Sequence, residues 1–213
     1  MIALRSILPL KTVLFGLVIA FLAIASPAFA QSFPELTGRV VDQANLLDPA
    51  QEAALTAKLA ALETESNRQL VVATVNSLEG YDIADYGYQL GRTWGIGQDG
   101  EGETEKDNGL ILLVAPDERK VRVEVGYGLE GIMTDALSSI IIQNDILPQF
   151  RSGDMAAGII AGVDRISTQL ALPEEEARAF AQQAEQQAGK GDGENIGLGI
   201  FWIFILIFFV IIP

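Results

Sequence analysis

The sequence predicts an α/β fold, a three-layer α/β/α sandwich built around a small mixed sheet. Between residues 33 and 172, short β-branched or apolar segments alternate with segments of helical periodicity, as in parallel βαβ units. The runs Leu110–Ala115 and Val121–Val125 flank the turn Pro116–Arg119, which predicts an antiparallel hairpin. Two further helical segments follow the hairpin. The order strand, helix, strand, helix, hairpin, helix, helix therefore indicates a layered α/β domain.

The first helix is predicted from its start signals. A short apolar piece, Arg39–Val41, leads through Asp42–Asn45 to Asp48 at the N-cap, Pro49 at the first helical position and Gln51 at capping-box spacing. Residues at helical spacing form its apolar face, namely Leu55, Leu59 and Leu62.

The centre of the domain alternates between strand and helix. Gln69–Val75 is β-branched and predicts a buried parallel strand. Asp82 caps a second helix, and Gly95–Lys106 is a loop rich in glycine and glutamate. The inward face of this helix comprises Ile83, Tyr86, Leu90 and Trp94. Leu110–Ala115 is apolar throughout and predicts a central strand, whereas Val121–Val125 alternates and predicts a strand at or near an edge.

Two helices complete the domain. Thr134 caps the third helix, which Pro148 and Gly153 end. Asp154 caps the fourth, whose apolar positions at helical spacing are Met155, Ile159, Val163, Ile166 and Leu170. The globular domain is accordingly assigned to residues 31–172, a suitable length for one hydrophobic core.

Composition excludes several classes of function. The 213 residues contain no cysteine and no histidine, so a Ser-His-Asp triad, a cysteine nucleophile, a histidine phosphatase and a Cys/His zinc site are all excluded. The net charge is −14, which excludes nucleic acid as a partner and favours the attraction of cations. No Walker motif is present, and no nucleotide cofactor is expected.

Both ends of the chain carry patterns that predict targeting to a membrane. Residues 1–30 combine basic residues, an apolar run and the cleavage pattern Ala28-Phe29-Ala30, which indicates a secretory signal peptide; an uncleaved anchor is the alternative. Residues 173–195 form a polar, partly helical spacer. Residues 196–213, uncharged throughout, predict a transmembrane helix. The domain is therefore expected to be extracytoplasmic, or periplasmic, and anchored in the cytoplasmic membrane.

Oxygen-bearing side chains gather at the open end of the predicted hairpin. Asp107 and Asn108 precede its first strand, and Glu130 and Asp135 follow its second. These are the donor types that hard cations such as Ca²⁺ prefer, and the nearby glycines would let backbone carbonyls approach. The alternative is purely structural: Asp107 and Asn108 start a strand, and Asp135 satisfies a helix dipole.

Three other patterns were weighed. Asp42 ends the first strand, where α/β proteins often bind ligands, but an Asx turn is the better interpretation. The G-x-G-x-x-G sequence Gly126–Gly131 closes a hairpin rather than opening a βαβ unit, which argues against a dinucleotide site. Trp94 with Tyr86 and Tyr88 could stack a ligand, but core packing is the better interpretation. The small basic group of Arg119, Lys120 and Arg122 is expected to pair with Glu118 and Glu124.

The motifs Val40-Val41-Asp42-Gln43-Ala44-Asn45-Leu46-Leu47, Asp107-Asn108-Gly109, Glu124–Gly131 and Thr134-Asp135 resemble, in this order, those of the TPM domain family. That family comprises YgcG-type bacterial membrane proteins and their thylakoid-lumen relatives. The resemblance implies an α/β/α sandwich with a carboxylate-lined groove that binds Ca²⁺, or Mg²⁺ or Mn²⁺ in its place. Carried over by motif, its metal ligands would be Asp42, Asp107, Asn108, Glu124, Glu130 and Asp135.

Two functions follow as expectations. The first is an accessory or assembly factor for membrane proteins, with a membrane-protein partner and a bound divalent cation. The second, implied by a plant relative described as an acid phosphatase, is a metal-dependent phosphatase in which Asp42 or Asp107 serves as metal ligand or nucleophile. The absence of a nucleophile beside a base favours the first.

Overall fold

A mixed four-stranded sheet organises the computed structural model, which describes residues 32–97 and 107–189. The strands are β1 (Val40–Asp42), β2 (Gln69–Thr74), β3 (Gly109–Ala115) and β4 (Lys120–Val125). Their order across the sheet is β1-β2-β3-β4; the first three run parallel, and β4 is antiparallel to β3. The predicted α/β class, the hairpin and the edge position of β4 are therefore confirmed.

Four of the six helices begin where the sequence places their caps. They are α1 (Pro49–Ser66), α2 (Ile83–Trp94), α3 (Asp135–Ile141), α4 (Leu147–Arg151), α5 (Met155–Ala171) and α6 (residues 174–189). Asp48 accepts hydrogen bonds from two backbone amides of α1 and forms a full capping box with Gln51. Asp82, Thr134 and Asp154 likewise accept from the amides that follow them. Each side chain satisfies a donor that the first turn of a helix leaves free.

Helices cover both faces of the sheet. On one face, Leu112 of β3 joins Leu59 of α1 and Ile166 of α5 in a single apolar cluster. On the other face, Ile111 and Leu113 pack with residues of α2, including Leu90. Burial on both sides explains why β3 is apolar at every position, since neither of its faces meets water.

The segment predicted as a polar spacer begins as part of the folded domain. Residues 174–189 form α6, and its alanines Ala177, Ala181 and Ala184 are buried in the same cluster as α1 and α5. Gln169 secures this packing, because its buried amide nitrogen donates to the carbonyls of Ile132 (2.7 Å) and Ala177 (2.9 Å). These three alanines form a stripe along one side of α6. Because glutamates and glutamines surround them in the sequence, the pattern did not indicate a buried helix face. No helix in the described ranges is long and apolar enough to cross a membrane.

The third helix does not stop at Pro148. It passes through a π-helical turn, Ile142–Ile146, into α4, where Pro148 occupies one of the first two positions. The hydrogen-bond pattern of the helix changes in this π-helical turn, and Pro148 lies directly after the change. The predicted signal peptide (1–30) and transmembrane helix (196–213) lie outside the described residues.

Tyr86 of α2 makes the fold sensitive to alkaline pH. The side chain is buried against Phe33, and burial, with the charges of Glu79 and Glu118, raises the pKa of Tyr86 from 10.0 to about 12. The unfolded chain therefore loses this proton first, so stability is complete below pH 10 and falls between pH 10 and about 12. Tyr86→Phe should reduce this alkaline loss in denaturant titrations at pH 9 and 11. Tyr88→Phe, at an exposed position, should leave it unchanged.

Candidate functional site

The open end of the β3–β4 hairpin is closed by glycine contacts. The amide of Gly126 donates to the carbonyl of Gly109 at 2.8 Å, and that of Gly128 donates to the carbonyl of Asp107 at 3.2 Å. A methyl group on Gly126 would lie 2.8 Å from the oxygen of Gly109 and closer still to that of Asp107. Only glycine allows this approach, so the first glycine of the G-x-G-x-x-G sequence has a packing role.

A pocket of about 600 Å³ opens beside this junction, on the face of the sheet that α2 covers. Its walls come from the second half of α2, the start of β3 and the segment that follows β4. The residues that line it are Tyr88, Gly91, Arg92, Gly95, Ile96, Gly97, Asp107, Ile111, Glu124, Val125, Gly126, Tyr127 and Glu130. Residues far apart in the sequence therefore meet at one site.

Glycines at four-residue spacing on α2 create the space for the pocket. A methyl group on Gly87 would lie 3.3 Å from Oε2 of Glu124, and one on Gly91 would lie 3.5 Å from Cδ1 of Ile111. Gly95 ends the helix with a φ of 62°, in the left-handed region that glycine adopts without strain. Since these positions carry no side chains, the helix lies close to β4 and still leaves an open cleft.

Three carboxylates line the pocket. Asp107 is exposed and has a φ of 52°, a left-handed conformation that aspartate and asparagine tolerate better than most residues. Glu124 lies on β4 with 18% of its side chain exposed, and its Oε2 pairs with Nε of Arg122 at 2.6 Å. Glu130 is exposed at the end of the 3₁₀ turn Tyr127–Leu129. Asp107, Glu124 and Glu130 therefore line the same pocket at the hairpin end.

A guanidinium and two tyrosines complete the lining. Arg92 donates from Nη1 to the hydroxyl of Tyr88 at 3.2 Å, and its Cζ lies 5.7 Å from the centre of that ring. Tyr88 and Tyr127 are 55% and 77% exposed. Tyrosine side chains are usually more buried than this, so packing in the core does not account for these two. The sequence interpretation missed Arg92 and Tyr127 and assigned Tyr88 to the core. The only signal was the spacing of Tyr88 and Arg92, one helical turn apart.

Two residues predicted for this site point elsewhere. Asn108 is buried, and its side-chain amide donates to the carbonyl of Asn67. Its backbone carbonyl accepts from the backbone amide of Gln69 at 3.0 Å. It therefore ties the start of β3 to the start of β2. Asp135 is exposed in the first turn of α3 and does not line the pocket. Both placements match the structural alternatives described for these residues.

Asp42 lies at the opposite end of the sheet. It pairs in register with Thr74, which pairs in turn with Val114, five residues beyond the Gly109 end of β3. At 3.3 Å per residue, that separates it from the pocket end by about 17 Å. Its carboxylate accepts from the amides of Leu46 (3.0 Å) and Leu47 (2.8 Å) and from the hydroxyl of Thr74. Asp42 therefore shapes the turn between β1 and α1.

The donor types of the pocket fit a hard cation, but the described side chains do not form a closed coordination shell. Within residues 32–97 and 107–189, no three acidic side chains come close enough together to hold one ion. Asp107 and Glu130 are exposed, and Glu124 already has a cationic neighbour in Arg122. A cation bound here would take few protein ligands and keep water in the remaining positions.

The fold and the pocket define an α/β domain with an acidic cleft at the end of a β-hairpin. The family model of the TPM domain matches residues 40–169. The chain therefore belongs to the TPM domain family, as its motifs indicated. No curated protein matches the chain.

Solved structures include a similar domain. The N-terminal domain of a protein from P. gingivalis is 37% identical, with a TM-score of 0.56, over 62% of this chain and 81% of that one. The N-terminal domain of the cg2496 protein from Corynebacterium glutamicum (19% identical, TM-score 0.48) is aligned over 67% of this chain and 86% of its own. The BA42 protein from Bizionia argentinensis (17%, 0.48) is aligned over 59% and 81%.

Proposed function

We propose that this protein is a membrane-anchored, extracytoplasmic binding module that takes up a divalent cation, Ca²⁺ above all, in the pocket beside the hairpin. The observation that carries the proposal is the convergence of Asp107, Glu124 and Glu130 on that one pocket. Among the described residues of the lining, Arg92 is the one basic side chain, so this part of the lining carries excess negative charge. The proposed role is accessory: assembly or maintenance of membrane proteins.

Export and anchoring rest on the sequence of the two ends. Residues 1–30 carry the signal-peptide pattern, and Ile196–Ile212 contains no charged residue. A domain held at the outer surface of a membrane would meet extracellular ion concentrations. Sites in extracellular modules bind Ca²⁺ with dissociation constants of about 10⁻⁴ to 10⁻³ M, which suits a pocket with few protein ligands.

Calcium should raise the unfolding temperature of the purified full chain in detergent. With a dissociation constant of about 1 mM, 10 mM Ca²⁺ would stabilise the native state by about 1.4 kcal/mol, or a few degrees in Tm. Asp107→Asn should abolish most of this shift. Asparagine keeps the left-handed backbone of position 107 accessible, so the variant removes charge without adding strain.

Asp135→Asn is the matched control, because it removes one negative charge from another exposed position that lies outside the pocket. It should retain the full calcium shift. NaCl at the same ionic strength tests for general screening of an acidic protein. Equal shifts in both variants, or an equal shift with NaCl, would contradict a cation site in the pocket.

The phosphatase alternative gains no support from the placement of its two candidate residues. Asp42 and Asp107 lie at opposite ends of the parallel strands, so one phosphate cannot contact both. The carboxylate of Asp42 is already engaged by two backbone amides and a hydroxyl. The pocket beside Asp107 therefore supports binding better than nucleophilic chemistry.

A further inference from the structure

The outer edge of β4 lies next to the acidic pocket. Within the described sheet, β4 pairs on one side only, with β3. The bonded contact between Gly109 and Gly126 fixes which residues of β4 bond inward, because bonded and non-bonded pairs alternate along an antiparallel ladder. Val121, Val123 and Val125 therefore direct their amides and carbonyls outward, away from β3.

The pocket shares residues with this edge strand. Glu124 belongs both to β4 and to the pocket lining, and Val125, Gly126 and Tyr127 continue the lining along the same segment. A residue opposite Glu124 on an added strand would lie on the same face of the sheet, with its Cβ about 5 Å from that of Glu124. A long basic side chain at this place reaches the cleft between α2 and the sheet.

We propose that the edge of β4 and the pocket beside it together bind an extended segment of a basic partner polypeptide. The segment adds an antiparallel strand to β4 and places a lysine or arginine beside Glu124, within reach of Asp107 and Glu130. Charge complementarity selects this occupant: β4 itself carries Lys120 and Arg122, but the described lining of the pocket holds three carboxylates against the single guanidinium of Arg92. The exposed rings of Tyr88 and Tyr127 flank the basic side chain, as tyrosines do at interfaces.

This inference rests on the proposed function in one respect, because the same carboxylates receive a positive charge. Calcium and the basic side chain therefore compete for the pocket. The strand pairing also determines which amides of the peptide form hydrogen bonds with β4. The amides of the residues flanking the lysine face β4, whereas the amide of the lysine itself faces away.

The test uses the full chain and a fluorescent heptapeptide of alternating threonine and valine with one central lysine, followed by anisotropy. The lysine peptide should bind at least ten times more tightly than its glutamate counterpart. Glu124→Gln should reduce this preference to less than threefold, and Asp135→Asn should leave it unchanged. N-methylation of the two residues that flank the lysine should abolish binding, whereas N-methylation of the lysine amide should change the Kd less than twofold.

Equal binding of the lysine and glutamate peptides would overturn the inference, as would equal tolerance of N-methylation at both positions. Failure of every peptide to bind, with the chain dimeric by light scattering, would assign the edge to a second copy instead. The cation function is judged separately. If calcium raises the Tm but no peptide binds, the cation site alone is supported. If the peptide binds while calcium neither weakens that binding nor raises the Tm, the peptide site alone is supported.

Discussion

Gly126→Ala is expected to destabilise the domain by at least about 3 kcal/mol, because the new methyl group meets backbone atoms that cannot move aside. It would lie 2.8 Å from the carbonyl oxygen of Gly109 and nearer still to that of Asp107. Either the hairpin separates at its open end, with loss of the bonds to Gly109 and Asp107, or β3 shifts within the core. Urea denaturation at pH 7 measures the loss, and amide exchange of Gly128 reports the separation.

Gly91→Ala is the matched control for Gly126→Ala. The methyl group on Gly91 makes only an ordinary contact, 3.5 Å from Ile111, and the position lies inside α2. Alanine in a helix interior is favoured over glycine by about 0.5–1 kcal/mol, so this variant should be more stable than the parent. A loss of stability similar to that of Gly126→Ala would show that general crowding, and not the hairpin contact, sets the effect.

Gln169→Leu is expected to cost about 1–3 kcal/mol and to loosen α6 before the rest of the domain. Leucine has a similar volume but cannot donate, so the carbonyl of Ile132 would lose this donor and that of Ala177 would keep only its bond within α6. A buried polar group left unsatisfied costs about 1–3 kcal/mol. Urea denaturation gives the total loss, and hydrogen exchange along residues 174–189 shows whether α6 is released first.

The control for this change is Gln183→Leu, the same substitution at an exposed position of α6. Its effect should stay within about 0.5 kcal/mol. If the two variants lose equal stability, the hydrogen bonds of Gln169 do not secure α6. If Gln169→Leu lowers stability while exchange along α6 stays unchanged, the bond to Ile132 is the important one.

Local signals predicted most of the secondary structure correctly. The caps at Asp48, Asp82, Thr134 and Asp154 all formed, because side-chain capping depends on neighbours within one turn. The apolar run of β3 and the alternation of β4 indicated a central strand and an edge strand, and both positions are confirmed. These inferences needed only the periodicity of residues close together in the chain.

Features that depend on distant packing were harder to predict. The alanine stripe of α6 is recognisable as a buried face only because it belongs to the apolar cluster that includes residues of α1 and α5. From its sequence alone, the segment therefore resembled a spacer. The end of the sheet to which Asp42 belongs depends on whether β1 runs parallel to β3, which the residues around Asp42 do not determine. The π-helical turn before Pro148 likewise has no clear local signature.

The candidate site was predicted in part. Asp107, Glu124 and Glu130 do meet at the end of the hairpin, since the antiparallel strands bring their outer ends together. Arg92, Tyr88 and the glycines of α2 were not predicted for the site, because their role depends on how the helix lies against β4. A spacing of glycines every four residues on a predicted helix was the available clue to a close helix–sheet approach.

Because Asp42 lies far from the pocket, residues at one end of the sheet can be substituted without disturbing the other end. Substitutions in the turn after β1 and in the pocket share no hydrogen-bond partner, and their energetic effects should add. Reporter groups or affinity handles can therefore be attached near Asn45 while ligand recognition is studied at the far rim. Any non-additivity between the two would reveal that the central strands transmit strain along their length.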